Sequence, residues 1–337
     1  MARSDFLKHD STYVIAEIGN NHEGDFDLAN TMIGLAAEAG VDAVKFQSIE
    51  PTELVAKDQV ERIKQLARFR FEPAQFGELA ERAADYGVDF LSTPFHLSAV
   101  EYLCDLVPAY KIASGDLDHV PLLRAVAETG KPVILSTGMA DTDLIEKAVG
   151  WIRDVWSANG LNPTLTLMQC TVSYPTIDDD ANLAAMKYLA SIADHVGYSD
   201  HTLGIDAAVL SVALGARVIE KHFTIDRHFS DFRDHQLSAD PDDMREMIGR
   251  IRRAEKLMGD GKKRIIDSED PNHVLRRRLF ATRTLPAGHV LKSDDVIALR
   301  STNGISVEHY DQVVGECLTK PVETGQVLDE DCLGIRP

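Results

Sequence analysis

Eight short apolar runs, each ending in polar residues and separated by segments with apolar residues at helical spacing, predict an α/β protein built as a closed parallel (β/α)8 TIM barrel. Two further observations support this. The polar ends carry residue types that bind metal, phosphate and carbonyl oxygen, as expected where a barrel gathers its strand ends into one site. The 337 residues also exceed the roughly 250 of one barrel by the size of a small extra domain.

Taken in order, the runs are residues 13–19, 42–48, 89–95, 109–114, 132–138, 164–170, 195–201 and 217–223. Their length and bounding turn residues suit buried strands. Between them lie helical patterns such as Leu28, Met32, Leu35 and Ala36, and later Phe76, Leu79, Ala80 and Ala83. The last helical pattern, 242–258, is followed by Gly259, so the barrel is expected to span 1–259. Residues 260–278 are charged, contain Pro271 and lack an apolar face, which predicts a surface linker. From 279 to 337, about 60 residues near the lower limit for independent folding, the pattern becomes β-rich. Runs at 279–282, 296–299 and 320–322 are separated by turns at Pro286-Ala287-Gly288 and Thr324-Gly325.

Composition narrows the function. A net charge of −19, from 54 acidic against 35 basic residues, opposes broad attraction to nucleic acid or to an anionic membrane. An anionic substrate needs a local cationic pocket instead. The four cysteines form no CxxC pair and are expected to stay thiols. No apolar run approaches 18 residues, and Met1 to Ser11 lack an apolar signal core, so a cytoplasmic location without membrane contact is expected.

Strand geometry places the candidate chemistry. Side chains two apart share a face, so Lys45 with Gln47, Ser199 with His201, and Glu220 with His222 can point into the lumen together. His201 and His222 end adjacent strands, close enough to share one divalent ion; with open oxygen positions this suits Mn²⁺, Fe²⁺, Co²⁺ or Zn²⁺. Lys45 and Lys111 call for an anion such as a phosphate or carboxylate, helped by Thr93, Ser114 and Ser136. The alternative for the lysines is an internal salt bridge to Glu17. His22-Glu23 lacks the second His of a zincin helix, and Cys170, with no activating His in a recognisable motif, reads as a small apolar residue.

At these residues the chain resembles a known family. Glu17-Ile18-Gly19-Asn20-Asn21-His22-Glu23-Gly24, Lys45-Phe46-Gln47, Ser92-Thr93-Pro94-Phe95, Lys111-Ile112-Ala113-Ser114-Gly115-Asp116, Ser136-Thr137-Gly138-Met139, Cys170-Thr171 with Tyr174-Pro175, Tyr198-Ser199-Asp200-His201-Thr202 and Glu220-Lys221-His222-Phe223 resemble the sialic acid synthases in order and spacing. The tail resembles the antifreeze-like, or SAF, domain that this family carries. The resemblance implies condensation of phosphoenolpyruvate with an N-acetylated hexosamine, such as N-acetylmannosamine, to a nine-carbon 2-keto-3-deoxy acid and phosphate.

It further implies a divalent ion, usually Mn²⁺, on His201 and His222, and a phosphoenolpyruvate set of Lys45, Thr93, Lys111, Ser114, Ser136 and Ser199. Glu17 matches an essential carboxylate. Gln47, Tyr174, Glu220 and Asp234 match the sugar side, and Arg300 matches an arginine offered by a partner subunit, which implies a domain-swapped homodimer. Val172 and His119 stand where the family usually has hydrogen-bonding residues, so legionaminic and pseudaminic acid synthases, acting on a diacetamido-hexose, remain alternatives. A metal-dependent aldolase is a more distant one, since it would not need both lysines. So is a non-catalytic polysaccharide-assembly protein, against which intact Glu17, His201 and His222 argue.

Overall fold

The computed structural model describes residues 7, 11–266, 268, 269 and 275–334. Most of the amino-terminal segment read for a signal, and Pro271, lie outside them. The chain divides into two compact units, Met1–Asp260 and Gly261–Pro337.

The first unit holds eight parallel strands: β1 (Tyr13–Gly19), β2 (Ala43–Ser48), β3 (Asp89–Pro94), β4 (Tyr110–Ile112), β5 (Val133–Ser136), β6 (Leu165–Cys170), β7 (His195–Asp200) and β8 (Ala216–His222). Their hydrogen-bonded order is β3-β2-β1-β8-β7-β6-β5-β4, and β3 also packs against β4, which closes the ring. Helices connect the strands, as right-handed crossovers between parallel neighbours require. β1 is buried at every position, as a strand must be when side chains fill one face and helices cover the other. The connecting helices start and stop on local chemistry. Asp25 caps Phe26–Ala39 by accepting from the Leu28 amide, and Gly40, at φ 96°, ends that helix in a left-handed conformation that glycine adopts without strain.

Register turns these strands into one layer of chemistry. Glu17 sits opposite Lys45 on one side and His222 on the other; Gln47 lies opposite Thr93; Ser199 is flanked by Glu220 and Cys170. The intervening residues point outward. Asp200 and Lys221 form a fully buried ion pair at 2.9 Å, and Asp200 also accepts from the Thr202 amide and hydroxyl, a structural role behind the barrel wall.

The second unit has its own apolar core, including Leu279, Leu285, Leu291, Val313 and Leu328. Among the described residues it pairs β9 (Arg277–Ala281) with β10 (Val296–Arg300) in an antiparallel ladder. Two expectations are corrected here. β9 takes in Arg277 and Arg278, read as linker, because their backbones pair with Arg300 and Leu299. The run at 320–322 is no strand; Pro321 has no amide to donate, and Val322 makes only a bridge to Leu285. All four cysteines are free. Among the described residues no helix is long and apolar enough to cross a membrane.

Candidate active site

The carboxyl ends of the strands enclose a cavity of about 300 Å³ within the first unit. Thirteen of the fourteen residues singled out from sequence line it; Arg300 lies in the second unit, exposed at the end of β10. At the floor stand two ammonium and two carboxylate groups. Lys45 Nζ lies 2.6 Å from Glu17 Oε2 and 3.7 Å from Glu220 Oε2, and donates to Thr93 Oγ1 at 3.0 Å. Lys111 Nζ donates to Ser136 Oγ at 2.7 Å and lies 3.5 Å from Glu220 Oε1, which also accepts from Ser199 Oγ at 3.0 Å. The internal ion pair weighed against an anion site is therefore present, and Glu220 joins it.

The two acids are not equivalent. Burial, opposed by Lys45 and reinforced by Glu220, holds the Glu17 carboxyl above its ordinary range. Glu220 is as deeply buried, but it faces both lysines, and they outweigh burial and pull its carboxyl down to about 2. The lysines divide likewise. Burial works against the Lys45 ammonium, yet Glu17 and Glu220 outweigh it and raise the pKa; Lys111 is lowered by burial, which Glu220 opposes and Lys45 reinforces. Gln47 Nε2 donates to Glu17 Oε1 at 2.8 Å while its oxygen accepts from Asn20 at 3.0 Å, so Gln47 orients the acid with higher proton affinity.

One strand end differs from expectation. β4 stops at Ile112, and Ser114 opens a 3-10 turn at Ser114–Asp116. From there its hydroxyl accepts from the Gly138 amide at 2.9 Å. A β-carbon on Gly138 would stand 2.9 Å from that hydroxyl and 2.6 Å from Val172, so glycine is what lets the two loops meet.

His201, just past β7, and His222, ending β8, have ring centroids 5.3 Å apart. His201 Nδ1 lies 2.8 Å from the Thr171 carbonyl, an acceptor only, so Nδ1 is the donating nitrogen and Nε2 is the one outside that bond. Burial lowers the His222 imidazole to about 4 and thus keeps it neutral, and its buried Nδ1 has no hydrogen-bond partner. Two imidazoles this close, each with a nitrogen outside those bonds, fit a divalent ion. Among the described residues no group of three or more His, Cys, Asp or Glu side chains is arranged to hold a metal, so other positions would fall to water or substrate. Tyr174 packs on His201 at 4.2 Å.

Sequence reasoning missed several lining residues. Cys170 Sγ lies 3.8 Å from His201 Nδ1, so a histidine does stand beside it; the two are strand neighbours but far apart in sequence. Arg62, on the helix Val60–Ala67, and Arg233, opening the helix Arg233–Leu237, both line the cavity. Arg233 lies 4.9 Å over the Tyr174 ring and 3.3 Å from Asp234. Its place next to Asp234 was the available signal; Arg62 had none. Val172 lines the cavity as expected, whereas His119 instead stands just before the helix Val120–Glu128, 3.7 Å from Asp116.

Known proteins place this geometry. The model of the NeuB family matches residues 32–263 and that of the SAF domain residues 276–334. An uncharacterised protein of Methanocaldococcus jannaschii is 42% identical over 97% of this chain and 96% of its own. The N,N'-diacetyllegionaminic acid synthase of Campylobacter jejuni is 36% identical over 95% of this chain and 99% of its own. The crystal structure of a sialic acid synthetase from Leptospira borgpetersenii, in complex with citrate, superposes with a TM-score of 0.72 at 35% identity, covering 78% of this chain and 90% of that one. With matches spanning barrel and tail alike, the chain belongs to the NeuB family of sialic acid-type synthases and ends in a SAF domain.

Proposed function

We propose that the chain condenses phosphoenolpyruvate with the open-chain aldehyde of an N-acetylated hexosamine. C3 of phosphoenolpyruvate forms the new bond to the sugar C1, water adds at C2, and the C2–O bond breaks to release phosphate and leave a 2-keto-3-deoxy acid. The observation that carries this reading is the buried floor, where Lys45 and Lys111 stand with three hydroxyls in the same cavity as two imidazoles 5.3 Å apart. An aldolase has no use for both lysines, and a non-catalytic scaffold would have no reason to bury four charges.

In this reading Lys45, Lys111, Thr93, Ser114, Ser136 and Ser199 hold phosphoenolpyruvate. Donors fixed by β-ladders need no reorganisation when charge develops. His201 and His222 would hold the divalent ion, Mn²⁺ by family resemblance, which supplies Lewis-acid polarisation of the aldehyde. Glu17, whose raised pKa makes it the more basic of the two acids, is the group to exchange a proton with the sugar oxygen or the attacking water. Gln47, Tyr174, Glu220 and Asp234 bound the acceptor sugar.

Phosphate release from phosphoenolpyruvate, measured over a panel of N-acetylated and diacetamido-hexoses with mass spectrometry of the product, tests the reaction and names the sugar. A diacetamido-hexose fits the loss of a polar group at Val172, and its turnover alone would make the chain a legionaminic or pseudaminic acid synthase. Phosphate-free turnover would overturn the reading.

Arg300 completes the proposal: it serves the acceptor sugar in a partner's barrel, in a domain-swapped homodimer. Once subunit exchange has been shown with differently tagged chains, mixing Arg300→Ala with Lys111→Ala chains should restore part of the activity. A mixture as inactive as its parents rejects the swap.

A further inference from the structure

The His22-Glu23 pair, discarded as a metalloprotease motif, lies at the hub of a network outside the cavity. Glu23 follows β1 in a left-handed conformation, φ 48°, uncommon for a residue with a side chain. His22 secures that turn: it is buried, stacks on Phe71 at 4.3 Å, and accepts from the Gly24 amide at 3.0 Å. The turn aims the Glu23 carboxylate at residues 224–238, the segment that carries Arg233 and Asp234 into the cavity. Glu23 Oε1 accepts a short bond from the Ser230 hydroxyl and lies 3.1 Å from Nε2 of the fully buried His235, whose other nitrogen lies 2.7 Å from Thr224 Oγ1. Its second oxygen faces the Arg68 guanidinium at 3.9 Å, just past the helix that carries Arg62.

Neighbouring contacts point the same way. Asn21 donates to the Phe223 carbonyl at 2.8 Å and to Ser238 Oγ at 2.9 Å, and Ser238 in turn donates to the Asp234 carbonyl. Phe69 packs on Phe232 with ring centroids 5.2 Å apart. The turn after β1 thus holds the segment after β8 at both ends, and Glu23 is the charged end of that hold.

Resting on the proposed condensation, we infer that Glu23 is a positioning residue for the acceptor sugar: it clamps residues 224–238 so that Asp234 and Arg233 face the acceptor. The phosphoenolpyruvate side does not depend on it, because Lys45, Lys111 and their hydroxyl partners are borne on the strands or, for Ser114, on the turn after β4. Such a residue affects one substrate and spares the other.

The test uses the full chain with Glu23→Ala and Glu23→Gln. Amide hydrogen exchange over 224–238 is read beside the kinetics of phosphate release, with N-acetylmannosamine and a diacetamido-hexose as acceptors. In Glu23→Ala exchange should quicken in 224–238 and stay unchanged in β2, β4 and β5. The KM for the acceptor should rise on the order of tenfold, as small misplacements at a site do, while the KM for phosphoenolpyruvate stays put. Glu23→Gln, which can still accept from Ser230, should recover part of both effects. Unchanged exchange over 224–238, or equal rises in both KM values, overturns the inference. If the wild type turns over neither sugar, the functional reading is what fails, and the exchange measurement still decides the clamp.

Discussion

Lys111 and Arg233 line the same cavity, yet the fold holds them in opposite ways. Lys111 sits mid-strand in β4, its side chain 3% exposed, its ammonium fixed by Ser136 from the neighbouring strand. Arg233 opens a five-residue helix between β8 and the last barrel helix, its side chain 65% exposed, resting on a tyrosine ring. The floor is set by strand register, and a strand cannot slip by one residue without turning its whole inner face outward. The rim is set by loop contacts, which tolerate exchange. The difference teaches that one barrel can keep a reaction while changing the molecule it acts on.

If that division is real, damage to the floor should abolish chemistry whatever the acceptor. Chelation should remove condensation and Mn²⁺ restore it, while His201→Ala should cost at least about a hundredfold in rate, as losing several kcal/mol of charge stabilisation does, and should also weaken Mn²⁺ binding measured directly on the protein. Full activity after chelation, or an unimpaired variant, would break the assignment.

Lys111→Ala sharpens the comparison against its rim counterpart. Losing a charge-assisted contact of about 1.5–3 kcal/mol should raise the KM for phosphoenolpyruvate from roughly tenfold to over a hundredfold. Some thermal stability should be lost too, since the buried quartet is left one cation short, with Lys45 at 3.7 Å as the remaining partner of Glu220. Arg233→Ala should instead raise only the KM for the acceptor, and less steeply. A lowered melting temperature with unchanged substrate dependence in Lys111→Ala would make that lysine a structural ion and no more.

The remaining effect, on stability and not on turnover, belongs to the junction between floor and rim. Burial depresses the His22 imidazole to about 4. The unfolded chain therefore binds a proton, near its ordinary pKa of about 6.5, that the folded chain refuses. The stability that neutral His22 confers is complete above that pH and is lost as pH falls to about 4, at most on the order of 3 kcal/mol. Denaturant titrations between these limits should show His22→Gln losing less stability on acidification than the wild type, by about one proton in the slope. Parallel slopes would show that His22 titrates normally.

What sequence made legible follows the same line. Strand ends could be read because alternation has a fixed period of two, so Lys45 with Gln47 and Glu220 with His222 were assigned a common face from spacing alone. Some contacts that need relative register between strands were out of reach. The meeting of Cys170 with His201 is one, and the joining of Glu220 to both lysines is another. Ser114 lines the cavity from another element than its run implies, because the three-residue β4 yields to a 3-10 turn where the hydroxyl is claimed by Gly138. Arg62 and the clamp at Glu23 depend on how loops fold back, which no local period records.

The neutral quartet of Glu17, Glu220, Lys45 and Lys111 has one more consequence, for discrimination among anions. Because its charges already cancel, the barrel can fold without borrowing a counter-ion, and any anion that enters must compete with two resident carboxylates for the same ammonium groups. A ligand with a single anionic group can win only one of those contests. One that carries phosphate and carboxylate on the same small frame can engage both lysines at once, and the second engagement is intramolecular and therefore cheap. On the proposed function the resident acids would thus act as a sieve, lowering affinity for common cellular anions and leaving the advantage to a doubly anionic substrate.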